Sequence, residues 1–234
     1  MIKRKNISLI AVIIIILVSF NGCGKRLDGN EIVRYMEKKY DEKFTYVDVT
    51  GGQLGGKSLT LRLEPEKYPG EIILARCELK KDGDKTWKKF NDNYMGLVFE
   101  NEIREKLTRI SEEVYSECKV FYSRNEYALL PVEIGPHTKI EEYISSKSID
   151  VLTISLFLSN KNELAKKDEQ ILNLVELLKK NKIVCSIDLA YLIDDEAYNK
   201  IETWEEAPNT KNDYYIKESI VLNDDYTYKK YEWE

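Results

Sequence analysis

The chain has 234 residues, with 36 Lys and Arg against 41 Asp and Glu and a formal net charge of −5. Acids and bases are interspersed along it, so it presents no basic field for nucleic acid. Its length suffices for one large domain or two small ones.

Lys3, Arg4 and Lys5 open the chain, and Ile7 to Phe20 form an apolar run of fourteen residues broken only by Ser8 and Ser19. A helix of that length spans about 21 Å, short of the roughly 30 Å hydrocarbon core. A basic head, a short apolar middle and a small-residue exit are the parts of an export signal. The exit, Phe20-Asn21-Gly22-Cys23, resembles the lipobox of bacterial lipoproteins. Gly22 and Cys23 match that pattern, whereas Phe20 and Asn21 stand where Leu and then Ala or Ser are usual. The resemblance implies cleavage after Gly22, diacylglycerol on Cys23 and a palmitate-bearing anchor in the membrane. Two acyl chains hold a protein stably where one holds it marginally. The expected location is therefore the cell membrane, lipid-anchored, on the extracytoplasmic face. Residues 1–22 are then a signal peptide and 23–29 a tether. The mature chain has lost three positive charges and no negative ones, and carries −8.

Asn30 is the expected cap of a first helix, with Ile32, Val33, Met36 and Tyr40 at helical spacing. Phe44 to Val49, rich in β-branched and aromatic residues, predicts a strand over about 44–50. The stretch that follows, GGQLGGKS at 51–58, spells the phosphate-cradling loop G-x-x-x-x-G-K-S. That loop works only where a helix starts at the Lys-Ser and turns its free amides toward the phosphates. Here Ser58-Leu59-Thr60-Leu61-Arg62-Leu63 alternates with period two and Pro65 closes the run, so a strand is expected over 58–64. The stretch reads as a glycine-rich connection between antiparallel strands, and no nucleotide is expected.

A turn over Glu64 to Gly70 leads to a strand over about 71–80, and Lys81-Asp-Gly-Asp84 makes a hairpin turn. Asp82-x-Asp84 lacks the further ligands of a calcium loop. The longest helix is predicted over about Tyr94 to Glu117, with Phe99, Ile103, Leu107, Ile110 and Val114 on one stripe that should pack on the preceding sheet. Lys119 to Tyr122 returns as a strand. Pro131, Gly135 and Pro136 suggest a soft boundary, giving an N-terminal α+β subdomain over 30–130 and a C-terminal α/β subdomain over 131–234. Thr138 and Glu141 fit a capping box for a short helix. Ile149 to Leu158 and Ile183 to Ile193 read as buried strands around a helix over 163–180, whose inner face would carry Leu164, Ile171, Leu172, Val175 and Leu178. This is a βαβ unit. Asp194-Asp195 caps a helix through about Trp204, and Tyr214 to Leu222 with Tyr226 to Trp233 form a terminal hairpin. The fold class is α+β: mixed sheets with packed amphipathic helices, an antiparallel β plus long-helix half and a βαβ-containing half.

Chemistry is sparse. Cys77 and Cys185 lie on apolar strand faces and read as small buried hydrophobes; a Cys77–Cys118 disulfide is the alternative an exported protein permits. His137, the only histidine, sits in a loop beside Pro136, so neither a nucleophile–base pair nor a zinc set can be assembled from spacing. Asp188, inside an inward-reading strand, needs a partner, and a salt bridge is expected. No catalytic residue, metal or cofactor is assigned.

Met36-Glu-Lys-Lys-Tyr40, Phe44-x-Tyr46-Val47, Gly51-Gly52-Gln53, Tyr68-Pro69 and Asp92-Asn93-Tyr94 resemble stretches of uncharacterised exported lipoproteins of low-GC Gram-positive bacteria. The resemblance covers roughly the first half of the mature chain and implies a location; no activity is established for that group. The expected function is a binding or scaffolding module at the cell envelope, its partner an envelope protein, the wall or a small ligand. The alternatives are a surface hydrolase using carboxylates or a metal, and an inhibitor or self-protection lipoprotein with a protein partner. The candidate contact surface is Gly51, Gly52 and Gln53 with Tyr68 and Tyr94, where loose backbone and aromatic tips would meet.

Overall fold

The computed structural model describes residues 27–52, 56–145, 152–203, 206–207, 214–223 and 225–232. The expected signal peptide, the expected lipidation site Cys23 and Gln53 lie outside them. Helix α1 (Gly29–Tyr40) is capped two residues before the expected Asn30: the Asp28 carboxylate accepts from the Asn30 amide at 3.1 Å. Ile32, Met36 and Tyr40 are its buried face, and Asp41, in the left-handed region at φ 51°, ends it.

Strands β1 (Phe44–Gly52), β2 (Ser58–Pro65), β3 (Ile73–Asp82) and β4 (Lys85–Asp92) follow as an antiparallel meander in the order β1-β2-β3-β4. The alternation read in Ser58–Leu63 is the alternation of the fold. Leu59, Leu61 and Leu63 are fully buried and stand opposite Cys77, Ala75 and Ile73. Burying each such leucine contributes about 1.5–3 kcal/mol. No helix starts at Ser58, so the phosphate-loop geometry is absent here. Gly52 has φ +82°, and a Cβ there would lie 2.1 Å from the Ser58 carbonyl oxygen. Glycine is required at this point because two strands close on each other.

The long helix is shorter than its apolar stripe suggests. It divides into α2 (Tyr94–Val98) and α3 (Glu100–Glu112), with Phe99 between them at φ −89°, ψ −2°. Past Glu112 the amides of Val114 and Tyr115 both turn back to the Ser111 carbonyl, which swings Tyr115 into the core. Asn162 then accepts from the Ser116 amide at 3.1 Å and donates to the Glu117 carbonyl at 2.7 Å, holding the new direction. Ile103, Leu107 and Ile110 are buried as expected. The helix packs mainly against the following strand and later helices instead of the preceding sheet.

The second sheet comprises β5 (Cys118–Ser123), β6 (Leu152–Leu158), β7 (Cys185–Leu192), β8 (Tyr214–Leu222) and β9 (Tyr228–Glu232), in that order. Only β6 and β7 are parallel among its pairs. Between β5 and β6 lies α4 (Ile140–Ile144); between β6 and β7 lie a 3₁₀ turn (Leu164–Lys166) and α5 (Lys167–Lys180); α6 (Asp195–Lys200) follows β7. The parallel pair exists because α5 carries the chain back across the sheet. Both halves therefore combine helices with sheet, one antiparallel and one mixed.

β5, which precedes residue 131, pairs with β6 in the second sheet. Two expectations change in this half. On α5 the buried residues are Ile171, Leu174, Val175 and Leu178, whereas Leu172 is 48 % exposed and Leu164 lies in the 3₁₀ turn before the helix. Thr138 does not cap α4: its hydroxyl accepts from the Gly135 amide at 2.9 Å, and one residue later Glu142 accepts from the Lys139 amide at 3.4 Å. The Asp194 cap is as expected, accepting from Ala197 at 2.6 Å. Cys77, Cys118 and Cys185 are all free thiols, so the Cys77–Cys118 disulfide is not made. One continuous apolar cluster joins Leu61 of β2, Ile103 of α3 and Leu189 of β7; a smaller one forms on the far face of the second sheet, around Phe157, Leu192 and Tyr198.

Candidate functional site

The structure separates the expected contact residues. Gly51 and Gly52 pair with Thr60 and Leu59, while Tyr68 follows Pro65, the partner of Phe44 at the opposite end of the same hairpin. Seven residues of strand lie between those ends, a distance of about 23 Å. Tyr68 and Tyr94 do meet, edge to face with ring centroids 6.0 Å apart. They meet inside the molecule, since Tyr94 is buried. Its ring also packs edge to face with Tyr40 and Phe44, at 4.7 and 5.3 Å.

Around these rings lies the most developed polar cluster of the N-terminal half. Asp92, at the end of β4, is 1 % exposed. Its Oδ1 accepts from the Tyr40 hydroxyl at 2.7 Å and the Tyr94 amide at 3.1 Å, and its Oδ2 accepts from Lys39 Nζ at 2.9 Å. Beside it Glu42 accepts from the Tyr94 hydroxyl and, at 2.9 Å, from the Lys67 amide. Asn93 accepts from the Leu74 amide at 2.7 Å and donates to the Glu126 carbonyl at 2.6 Å. The Leu130 amide donates to the Asp92 carbonyl at 2.7 Å.

The electrostatics of this cluster make it a lock. Burial, then the charge of Asp92, raises the Tyr40 hydroxyl far above the usual phenol range. Burial, then the bond to Glu42, does the same for Tyr94. Both phenols stay protonated and act as donors, Tyr40 to Asp92 and Tyr94 to Glu42. Both oxygens of Asp92 are engaged by donors from within the fold. Its product is mechanical: α1, the turn after β2, the β4–α2 junction and the segment near Leu130 are tied at one point. Sequence reasoning named Tyr94 and Tyr68 but not Lys39, Glu42 or Asp92 as their partners. The signal was present in the stretches ending at Tyr40 and containing Asp92-Asn93-Tyr94, yet nothing in the order of residues says that positions 52 apart share a hydrogen bond.

The second half has its own buried carboxylate. Glu218 of β8 is fully buried; its Oε1 is bonded by Lys167 of α5 and lies 3.7 Å from Lys230 of β9, while its Oε2 has no hydrogen-bond partner among the described residues. Lys230 also binds Asp168 at 2.9 Å, tying β9 to the start of α5. Asp188 is half-buried on the other face, and its partner is the Ser219 hydroxyl on the neighbouring strand, not the expected cation. Arg124, nearly buried, reaches Glu71 at 3.1 Å and Glu100 at 3.7 Å. Burial raises the Glu100 carboxyl above its ordinary range, and Arg124 opposes that rise. His137 is exposed.

A groove of about 440 Å³ runs between α3 and α4, bordered by Glu102, Lys106, Arg109, Glu113, Glu141 and Asn181. It carries charges of both signs. Among the described residues no cluster of three or more His, Cys, Asp or Glu could hold a metal ion, and no helix is long and apolar enough to cross a membrane.

Neither a protein-family profile nor a curated protein matches the chain. Among solved structures, a DUF5037 family protein from Ruminococcus gnavus ATCC 29149 is similar at 12 % identity and a TM-score of 0.40, over 82 % of this chain and 90 % of that one. A likeness this shallow bears on neither chemistry nor partners.

Proposed function

We propose that the protein is a lipid-anchored extracytoplasmic module that binds or scaffolds at the cell envelope. The observation that supports this most is where the packed body begins. Leu27 is 3 % exposed and Asp28 caps α1, so core packing starts four residues after Cys23. Four extended residues span at most about 14 Å. A lipobox-like cysteine four residues ahead of the first described residue, itself buried, suits a protein held close to the surface that anchors it.

The buried carboxylates fit the same reading. Asp92 and Glu42 are engaged in bonds between chain segments, as befits a scaffold whose shape is the product. The test is mass spectrometry of the mature N-terminus from membranes of the producing cell. A chain starting at Cys23 with diacylglycerol attached is expected. An intact Met1, or a Cys23 without lipid, rejects the anchor. A partner recovered by crosslinking at the envelope supports the binding role, whereas a melting-temperature shift with Ca²⁺ or Zn²⁺ turns the reading toward a hydrolase.

A further inference from the structure

The hairpin end of the four-stranded sheet combines three features that have separate origins. The first is where the chain enters. A Cβ on Gly29 would touch Leu61 at 3.6 Å, and Glu31, in the first turn of α1, bonds Lys88 of the β3–β4 hairpin. The other end of α1 packs Tyr40 on Phe44, with centroids 6.2 Å apart, at the far edge of the sheet. The start of α1 thus lies over the middle of β2 and β4, nearer the hairpin end than its last turn does.

The second is charge. Lys57, Lys80, Lys81, Lys85 and Lys89 are exposed at this end, within a chain of net charge −5. The register brings them together: Lys80 stands opposite Trp87, Lys81 opposite Thr86, Glu78 opposite Lys89, and the Leu79 amide bonds the Lys57 carbonyl at 2.8 Å. The acids here are fewer. Glu78 is already held by Arg76 at 2.6 Å and by Lys80, which leaves Asp82 and Asp84 of the turn. The third is Trp87, 49 % exposed on the same strand. An indole with one polar edge suits the boundary between water and lipid.

We infer that the hairpin end of the four-stranded sheet is a membrane-docking surface that takes anionic phospholipid headgroups, with Trp87 seated among them. The choice of a lipid surface over another acidic partner rests on the lipid-anchor reading, in which four residues, spanning at most about 14 Å, join Cys23 to Leu27 just ahead of α1. The lysines and the ring stand independently of it. Each lysine near an anionic surface strengthens binding about fivefold. The surface contributes orientation of the anchored body on the bilayer.

The test uses the mature chain carrying Cys23→Ser, which has no lipid attachment atom, so that docking and anchoring can fail separately. Sedimentation with vesicles containing phosphatidylglycerol at low salt is expected to carry the protein down; phosphatidylcholine vesicles, or high salt, are expected to leave it in solution. The exposed triple variant Lys80→Ala, Lys81→Ala, Lys85→Ala should weaken binding on the order of a hundredfold, and Trp87→Ala should weaken it further. The control triple Lys161→Ala, Lys166→Ala, Lys200→Ala removes three exposed lysines elsewhere and should change little. Hydrogen exchange over residues 80–89 should slow on the vesicles. Absence of binding by the Cys23→Ser chain, or equal loss in both triple variants, overturns the inference. The mass of the N-terminal peptide from cells decides the anchor on its own.

Discussion

Each of the two sheets buries a carboxylate beneath a helix, and each carboxylate is met by a lysine from that helix: Asp92 by Lys39 of α1, Glu218 by Lys167 of α5. Beyond that the two differ. Asp92 collects a lysine, a phenol and a backbone amide, and both of its oxygens are used. Glu218 relies on cations alone and leaves one oxygen bare. Neutral and backbone donors are fixed by the fold itself, whereas a lysine nitrogen sits at the tip of four rotatable bonds. The first arrangement joins segments far apart in sequence at a rigid point. The second neutralises a charge with less geometric demand.

Breaking the two sites should therefore cost different amounts. Asp92→Ala leaves the Tyr40 hydroxyl and the Tyr94 amide without an acceptor in the interior, besides releasing Lys39, and is expected to cost about 3–5 kcal/mol, read as a fall in urea midpoint. Glu218→Gln keeps the shape and removes the charge. Lys167 and Lys230 remain 14 % and 30 % exposed and can turn toward water, so the expected cost is about 1.5–3 kcal/mol. Equal losses at the two positions would show that donor type does not govern the difference.

Alkaline titration sharpens the comparison by a different route. Burial holds the Cys185 thiol of the second sheet up at about 12, and burial with the nearby Glu31 charge holds Cys77 of the first at about 11. An unfolded thiol ionises near about 8.5. Above that pH the unfolded chain has lost protons that the folded chain keeps, so stability should be full below about 8.5 and decline toward 11–12. The buried phenols of Tyr40 and Tyr94 push in the same direction. Denaturation midpoints that rise across this window would contradict the burial of these groups. The smallest effect belongs to Leu172→Ala, on the outer side of α5, expected to change stability by less than about 0.5 kcal/mol. A larger loss in a melting experiment would place Leu172 against something.

Leu59, Leu61 and Leu63 announced a strand because period two survives any tertiary context, and the strand duly removed the helix that a phosphate loop needs. The stripe from Phe99 to Ile110 announced a helix equally well, and the βαβ unit followed from the lengths of its three segments. Leu172 misled because helical spacing defines a stripe without defining its edges: Leu174, not Leu172, faces the sheet. Among the candidate contact residues, Tyr68 and Tyr94 were read as companions and are, but as core rings; a tyrosine's apolar body and polar tip suit a buried bond to a carboxylate as well as an exposed contact.

What the order of residues settled on its own was local. Strand alternation, helical stripes, caps such as Asp194 and the antiparallel reading of the glycine-rich connection depend on neighbours within a few positions. What the tertiary structure decided was every match across distance: Asp92 with Tyr40, Glu218 with Lys167, α3 against the second sheet, and five lysines gathered with Trp87 at one end of the first. Such matches depend on how loops close and sheets register. Those are properties of the whole packed chain, which no window of sequence contains.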